Sequence, residues 1–208
     1  MTDKYYITTP IYYVNDKPHI GHAYTSVATD FIARFMRLKG HDVRFQTGTD
    51  EHGLKIQKAA ESKGKEPLEL CDENSRIFRD LTTTLDLSND DFIRTTEQRH
   101  IDGASFLWNR LHERNQIYLG EYTGWYSIND ETFYNEKDLV KQSDGSFKTV
   151  TGGPVEWITE KSYFFKLSEW SDILLDLYKK NPDFISPKSK RNEVIKFVES
   201  GLNDLSVS

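Results

Sequence analysis

The spacing of apolar and polar residues predicts a strand, a helix and a second strand within the first fifty positions. Residues 4–9 form a short apolar run that is typical of a buried strand. Five apolar residues then recur on one helical face before Gly40, which ends the predicted helix: Val27, Phe31, Ile32, Phe35 and Leu38. Residues 43–47 alternate as a strand does. A strand–helix–strand unit predicts a parallel sheet with a right-handed crossover.

Further along the chain the pattern predicts helices, then strands, then helices again. Helices are expected at roughly 54–63, 67–85 and 97–115, with Thr95 or Thr96 as the cap of the third. Residues 118–167 are rich in Tyr, Thr, Trp and Gly and contain turn signals, which predicts short antiparallel strands inserted into an α/β domain. Helical spacing returns after residue 168. We therefore predict a catalytic-domain half at 1–117, an insertion at 118–167 and a return into the first domain at 168–208.

Composition narrows the class of protein. With 37% hydrophobic and 29% charged residues, the 208-residue chain is typical of a globular protein. It has no run of about 20 apolar residues, so we expect no membrane span. The start lacks a secretory signal, which favours a cytoplasmic location, with an organellar matrix as the alternative. Cys71 permits no internal disulfide and is expected to be a small core residue. The net charge of −6 argues against a general nucleic-acid coat.

Two histidines three residues apart, His19 and His22, lie between the first predicted strand and the first predicted helix. A helix N-terminus attracts phosphate through its unpaired N–H groups and its positive partial charge. Gly21 would let a nucleotide approach the backbone, and the imidazoles could donate hydrogen bonds to phosphoryl oxygens. These residues predict a nucleotide site, and a chance pair of surface histidines is the alternative. Asp50 follows the second strand, at the sheet edge where ligands of such folds bind.

Three segments carry a resemblance to a known family. They are residues 8–15 with the tetrapeptide His19–His22, residues 45–53, and residues 191–208. Together they resemble the class I aminoacyl-tRNA synthetases, and the methionyl branch of that family in particular. The resemblance implies a Rossmann-like parallel sheet with an inserted, β-rich connective peptide. It also implies an enzyme that activates L-methionine with ATP and Mg²⁺ to methionyl-adenylate and transfers the methionyl group to tRNA(Met).

The resemblance also assigns roles to individual residues. It makes His19 and His22 the catalytic residues and implies an ATP site formed by Tyr12, Pro18, His19, Ile20, Gly21 and His22. It implies a methionine site formed by Ile11, Tyr13 and Asp50, in which Asp50 pairs with the ammonium group. The alternatives are a helix-capping role for Asp50 and core positions for Ile11 and Tyr13. Glu51 and His52 could be drawn to the same site.

The insertion departs from the family's common pattern. Connective peptides of this family often carry Cys-x-x-Cys zinc knuckles, but residues 124–131 contain no cysteine. Since structural zinc needs four Cys or His ligands, we expect no structural zinc. Aromatic packing is predicted to replace the metal, through Trp125, Tyr126, Phe133 and Tyr134. An unusual carboxylate site using Asp130 and Glu131 is the alternative.

Compared with the family that it resembles, the sequence lacks two expected segments. The family's second signature loop and its helical anticodon-binding domain are not in these 208 residues. The chain is therefore expected to be an N-terminal fragment that is inactive alone. Two other functions stay open: a non-catalytic nucleotide- and amino-acid-binding module, and a class I synthetase for leucine, isoleucine or valine. A nucleotidylyltransferase with a similar histidine turn would not explain the Asp50 segment or the insertion.

Overall fold

The computed structural model describes residues 3–127, 130 and 132–207, which form two compact units, Met1–Ser105 and Phe106–Ser208. The first unit contains β1 (Lys4–Thr8), β2 (Tyr12–Tyr13), α1 (Ile20–Leu38), β3 (Asp42–Asp50), α2 (Leu54–Ser62), α3 (Pro67–Thr84), β4 (Asp91–Arg94) and the first half of α4 (Gln98–Glu113). The predicted helices at 54–63, 67–85 and 97–115 are confirmed. The boundary between the units falls inside α4, and the division at 117 and 167 stays a prediction.

The sheet of the first unit is parallel and is built around β3. Gln46 pairs with both Thr8 of β1 and Asp91 of β4, and Thr49 pairs with both Tyr12 of β2 and Arg94 of β4. Because a residue can pair with one partner on each side, β1 and β2 must lie on one side of β3 and β4 on the other. This arrangement confirms the predicted Rossmann-like α/β class and carries the ends of β2, β3 and β4 to the same edge of the sheet.

Helix α1 differs from the prediction in the face that it buries. It packs against β1 and β3 through Ser26, Thr29, Asp30 and Ala33, while Phe31 is 71% and Leu38 is 88% exposed. Small residues allow a close approach to the sheet. Asp30 can be buried because its carboxylate accepts hydrogen bonds from the backbone N–H and the hydroxyl of Ser88. The apolar face noted in the sequence is therefore the exposed face of this helix. The strand β1, predicted to be buried, is half exposed along its length.

The core of the first unit lies beside the carboxyl ends of the strands. A cluster of buried side chains joins β2, α2, α3 and β4: Tyr12, Val14, Ile56, Cys71, Phe78 and Phe92. Cys71 is a free, buried cysteine, as its position in a helical pattern predicted. Burial, and then the nearby charge of Glu51, raise the pKa of its thiol to about 11. It therefore stays protonated at neutral pH and acts as a small apolar residue.

Gly48 in β3 pairs with Ile93 of β4, and we expect alanine at this position to destabilise the fold. A Cβ atom there would lie 2.0 Å from the backbone oxygen of Ile93. Since a backbone atom cannot move aside, this overpacking should cost about 2 kcal/mol or more. Urea unfolding should show the loss for Gly48→Ala. It should not appear for Gly103→Ala in α4, where a new Cβ meets no atom within 4 Å. Equal stability of the two variants would contradict this account.

The second unit is dominated by antiparallel strands. After α4 come β5 (Ile117–Ser127), β6 (Thr132–Tyr134), β7 (Val140–Lys141), β8 (Phe147–Lys148), β9 (Glu156–Phe165), α5 (Ser171–Lys180), α6 (Lys188–Glu199) and β10 (Leu205–Ser206). β5 and β9 pair from Ile117↔Phe165 to Tyr126↔Glu156. The antiparallel strands predicted for 118–167 are present, and these two are longer than expected. β10 adds an edge strand beside β9, so the end of the chain returns to this sheet.

Aromatic side chains pack along β5 in the second unit. The ring of Trp125 lies 4.8 Å from that of Phe147 and 5.2 Å from that of Trp157. The carboxylate of Asp130 accepts hydrogen bonds from Ser127 and Tyr134, while Glu131 lies outside the described residues. Within the described ranges, no group of three or more His, Cys, Asp or Glu residues could hold a metal ion. In the same ranges, no helix has the length and apolar character needed to cross a membrane.

Candidate active site

A cleft of about 360 Å³ opens between β2 and the start of α1. Its walls are formed by Ile11, Tyr12, Tyr13, Asn15, Asp16, Lys17, His19 and His22. The structure therefore brings together the predicted catalytic histidines, one further predicted ATP residue and two predicted methionine residues. The predicted ATP residues Pro18, Ile20 and Gly21 lie in the same segment but do not form its walls. Asn15, Asp16 and Lys17 were missed, although their position in the strand-to-helix loop could have indicated them.

The two histidines form a mutual cap at the start of α1. His19 is the N-cap residue, and its Nδ1 accepts a hydrogen bond from the backbone N–H of Gly21 at 3.1 Å. The backbone N–H of His19 in turn donates to Nδ1 of His22 at 3.1 Å. A neutral imidazole whose Nδ1 accepts must carry its proton on Nε2. Both rings therefore retain one N–H donor, and they stack at 3.8 Å between centroids.

Gly21 also has a structural role that the sequence did not predict. Its backbone N–H donates a hydrogen bond to Nδ1 of His19. A Cβ atom at this position would lie 2.9 Å from Cε1 and 3.0 Å from Nδ1 of the same ring. Contacts that short are almost never tolerated, so glycine is needed for His19 to fold back over the helix start. At the start of α1 the Gly21 amide is therefore occupied, whereas each imidazole keeps an Nε2–H donor.

His22 is held in place by aromatic neighbours. Its ring lies 4.7 Å from that of Tyr12 and 5.1 Å from that of Phe78, and the hydroxyl of Tyr12 is 2.9 Å from that of Ser26. Burial, followed by the charge of His19, lowers the pKa of His22 below its usual value. The neutral form is therefore favoured, which is the form that keeps Nδ1 as an acceptor.

The lowered pKa of His22 predicts a loss of stability in acid. A neutral histidine contributes stability above the pKa of the unfolded chain, and that contribution is lost as the pH falls through the lower, folded-state pKa. Between about pH 7.5 and about pH 5, wild type should lose more stability than His22→Gln, whose side chain can accept the same hydrogen bond without titrating. Urea midpoints at both pH values measure this. His112→Gln, at an exposed site in α4, is the control and should behave as wild type does.

Asp50 ends β3 directly beside the cleft. It pairs in register with Tyr13, and paired strands lie about 4.8 Å apart, so its backbone neighbours a cleft-lining residue. It does not line the cleft itself. The N-cap of α2 is Gly53, so Asp50 does not occupy the N-cap position of that helix. The ammonium group of Lys55 lies over the ring of Tyr13, 5.5 Å from the ring centroid.

The side chain of Glu51, the next residue, points into the protein interior. Its carboxylate is 0% exposed and accepts hydrogen bonds from Nε and Nη2 of Arg94 at 2.8 and 2.9 Å. Burial opposes its ionisation, but the hydrogen bonds from Arg94, Thr96 and Thr49 outweigh burial and lower its pKa. The hydroxyl of Thr95 accepts the backbone N–H of Glu51, and α4 begins at Gln98, so the residue before the helix is Glu97 and not Thr95 or Thr96 as expected. Arg94 was missed, because nothing local in the sequence links it to a partner 43 positions away.

The comparison with known families decides where the chain belongs. A family model described as tRNA synthetases class I (M) matches residues 5–143, which is more than half of the chain. The chain belongs to this family. The resemblance of the three sequence segments to the methionyl branch of the class I synthetases is thereby confirmed.

Relatives within the class I (M) family support the same assignment. The chain is 59% identical over 208 residues to a methionine–tRNA ligase of Rickettsia conorii and 53% identical over 206 residues to one of Mesorhizobium japonicum. These alignments cover 100% and 99% of this chain but only 40% of each relative. A structure of Mycobacterium tuberculosis methionyl-tRNA synthetase in complex with methionyl-adenylate matches with a TM-score of 0.91 and 50% identity, over 100% of this chain and 41% of that one.

Proposed function

We propose that this chain is the first part of the catalytic domain of a methionine–tRNA ligase, which forms methionyl-adenylate from ATP and L-methionine and passes the methionyl group to tRNA(Met). The observation that carries the proposal is the mutual cap of His19 and His22, which leaves an Nε2–H donor on each ring at one cleft. The names of the relatives and the adenylate complex of the M. tuberculosis enzyme support the choice of substrates.

In this reaction an oxygen of the methionine carboxylate attacks the α-phosphorus of ATP. The new O–P bond forms as the bond to the pyrophosphate oxygen breaks, and pyrophosphate leaves with the electron pair. The protein forms no covalent bond and contributes position and charge stabilisation. Nε2–H of His19 and of His22 would donate to the phosphate oxygens on which negative charge builds. ATP is proposed to enter as its Mg²⁺ complex.

Methionine is proposed to bind at the carboxyl ends of the paired strands β2 and β3. Ile11 and Tyr13 are exposed at the cleft and would contact the thioether, for which aromatic rings have a real preference. Asp50 beside Tyr13 would pair with the ammonium group. This arrangement keeps the carboxylate of the substrate free to face the phosphates near the histidines.

Methionine-dependent exchange of pyrophosphate into ATP tests the proposal in the complete ligase that contains these residues. Exchange should occur with methionine and not with leucine, isoleucine or valine. Exchange with one of those instead would favour a synthetase for another amino acid. Binding of ATP and methionine without exchange by the complete protein would favour the non-catalytic binding module.

We also propose that the enzyme is zinc-free and cytoplasmic. The free, buried Cys71 suits a reducing compartment, for which an organellar matrix is the alternative. Packing of Trp125 against Phe147 and Trp157 supports an insertion that needs no metal. Metal analysis of dialysed protein should find less than stoichiometric zinc. One zinc per chain would overturn the packing account and return Asp130 or Glu131 to consideration as ligands.

A further inference from the structure

We propose that the ion pair of Glu51 and Arg94 is a positioning device for the amino-acid subsite, which holds Asp50 where it can meet the ammonium group. The inference rests on the proposed function, because it needs Asp50 to bind methionine. Neither Glu51 nor Arg94 lines the cleft between β2 and α1, so neither is expected to touch substrate there. Their effect would pass through the backbone on either side of Asp50.

The carboxylate of Glu51 is fixed from several directions. Arg94 binds both carboxylate oxygens, the hydroxyl of Thr49 donates to Oε1 at 2.7 Å, and the hydroxyl of Thr96 donates to Oε2. A fully buried carboxylate with this many donors has a single orientation. It therefore acts as a rigid anchor for the residue that follows Asp50.

The backbone of Glu51 is tied down as well. Its N–H donates to the hydroxyl of Thr95 at 2.9 Å, and its carbonyl oxygen lies 3.7 Å from Sγ of Cys71 on α3. Arg94 extends the connection to α3 through a second hydrogen bond, to Asp72. The end of β3 is thus joined to the end of β4 and to α3 through one residue.

The same contacts determine the direction of the Asp50 side chain. Thr49 and Glu51 are joined by a side-chain hydrogen bond, so they lie on the same face of the chain. Because successive residues of a strand point to opposite faces, Asp50 between them must be directed to the other face. Thr49 and Glu51 are both buried, while Asp50 is partly exposed. Because Thr49 and Glu51 are held on the buried face, the carboxylate of Asp50 is directed to the opposite, partly exposed face.

An ion pair of this kind is expected to fix the position of the backbone more than it stabilises the fold. A buried ion pair is weak evidence for stability, since apolar residues of similar volume often replace one without loss. Its fixed bidentate geometry does hold the backbone in one place. Misplacement of a binding group by about 1 Å can cost about 100-fold in catalysis, so a small shift of Asp50 is enough to matter.

The test measures KM for methionine and for ATP separately in the complete ligase. Glu51→Gln and Arg94→Lys should each raise KM for methionine about tenfold or more and leave KM for ATP within about twofold, since uniform damage would affect both. Glu51→Gln keeps the shape of the side chain, and Arg94→Lys keeps the charge. In an Asp50→Asn background, Glu51→Gln should add little further to KM for methionine, because the group that it positions is already lost.

The matched control is the ion pair of Arg99 and Asp91, which is also bidentate and lies at the other end of β4. Arg99→Lys should leave both KM values unchanged. Equal changes in the two KM values of the Glu51 and Arg94 variants, or the same methionine effect in Arg99→Lys, would reduce the pair to a structural role. An unchanged KM for methionine in Asp50→Asn would instead overturn the proposed methionine subsite. If KM for methionine rises in Asp50→Asn but not in the Glu51 and Arg94 variants, only the positioning inference is overturned.

Discussion

Replacing His19 or His22 by alanine is expected to slow methionyl-adenylate formation about 100- to 1,000-fold in the complete ligase, the usual cost of one lost transition-state donor. Methionine affinity should change little, because Ile11, Tyr13 and Asp50 are left intact. Each ring provides one Nε2–H while its Nδ1 is used by the cap. Single-turnover measurement of adenylate formation, together with calorimetry of methionine binding, separates the two effects.

The mutual cap complicates that experiment, since alanine also removes a helix-capping contact. His19→Asn and His22→Gln are the matched variants. Asparagine is a favoured N-cap residue, and glutamine at the fourth position of a capping box accepts from the N-cap N–H. Both variants can keep the start of α1 while they remove the imidazole. They should be as slow as the alanine variants, and near-wild-type rates in either would show that the corresponding histidine only caps the helix.

Replacing Asp50 by alanine is expected to abolish measurable methionine binding while the fold stays intact. In the variant, the buried ammonium group of bound methionine would have no carboxylate partner. Removing one partner of a buried ion pair typically costs roughly 3–5 kcal/mol of binding free energy. The helix α2 should keep its start, because its N-cap residue is Gly53 and not Asp50. Calorimetry with methionine measures the loss, and urea unfolding checks the fold.

An analogue of methionine without the amino group provides the control for Asp50. Its binding lacks the proposed charge pair in wild type, so Asp50→Ala should weaken it little. Asp50→Asn, which keeps the size of the side chain, should resemble Asp50→Ala with methionine. Unchanged methionine affinity in both variants would make Asp50 a structural residue and remove it from the subsite.

Local patterns were sufficient for the helices of the first unit and for the central loop of the site, but not for the short strands β2 and β4. Helical spacing placed α2 at 54–63 and α3 at 67–85, within one residue of the observed bounds. The strand-to-helix position of His19 and His22 was also visible, because a sharp change in periodicity marks such a junction. These features depend on residues a few positions apart, and their information is contained in the sequence.

Long-range contacts decided the rest. Apolar spacing could not show that α1 would bury Asp30 and leave Phe31 exposed, since that choice depends on Ser88, 58 positions away. Thr95 has the chemistry of a helix cap but binds the backbone of Glu51, 44 positions away. Arg94 finds its carboxylate only because β3 and β4 end side by side. A side chain with several possible partners takes the one that the folded backbone brings within hydrogen-bonding distance, and the order of residues along the chain does not contain that distance.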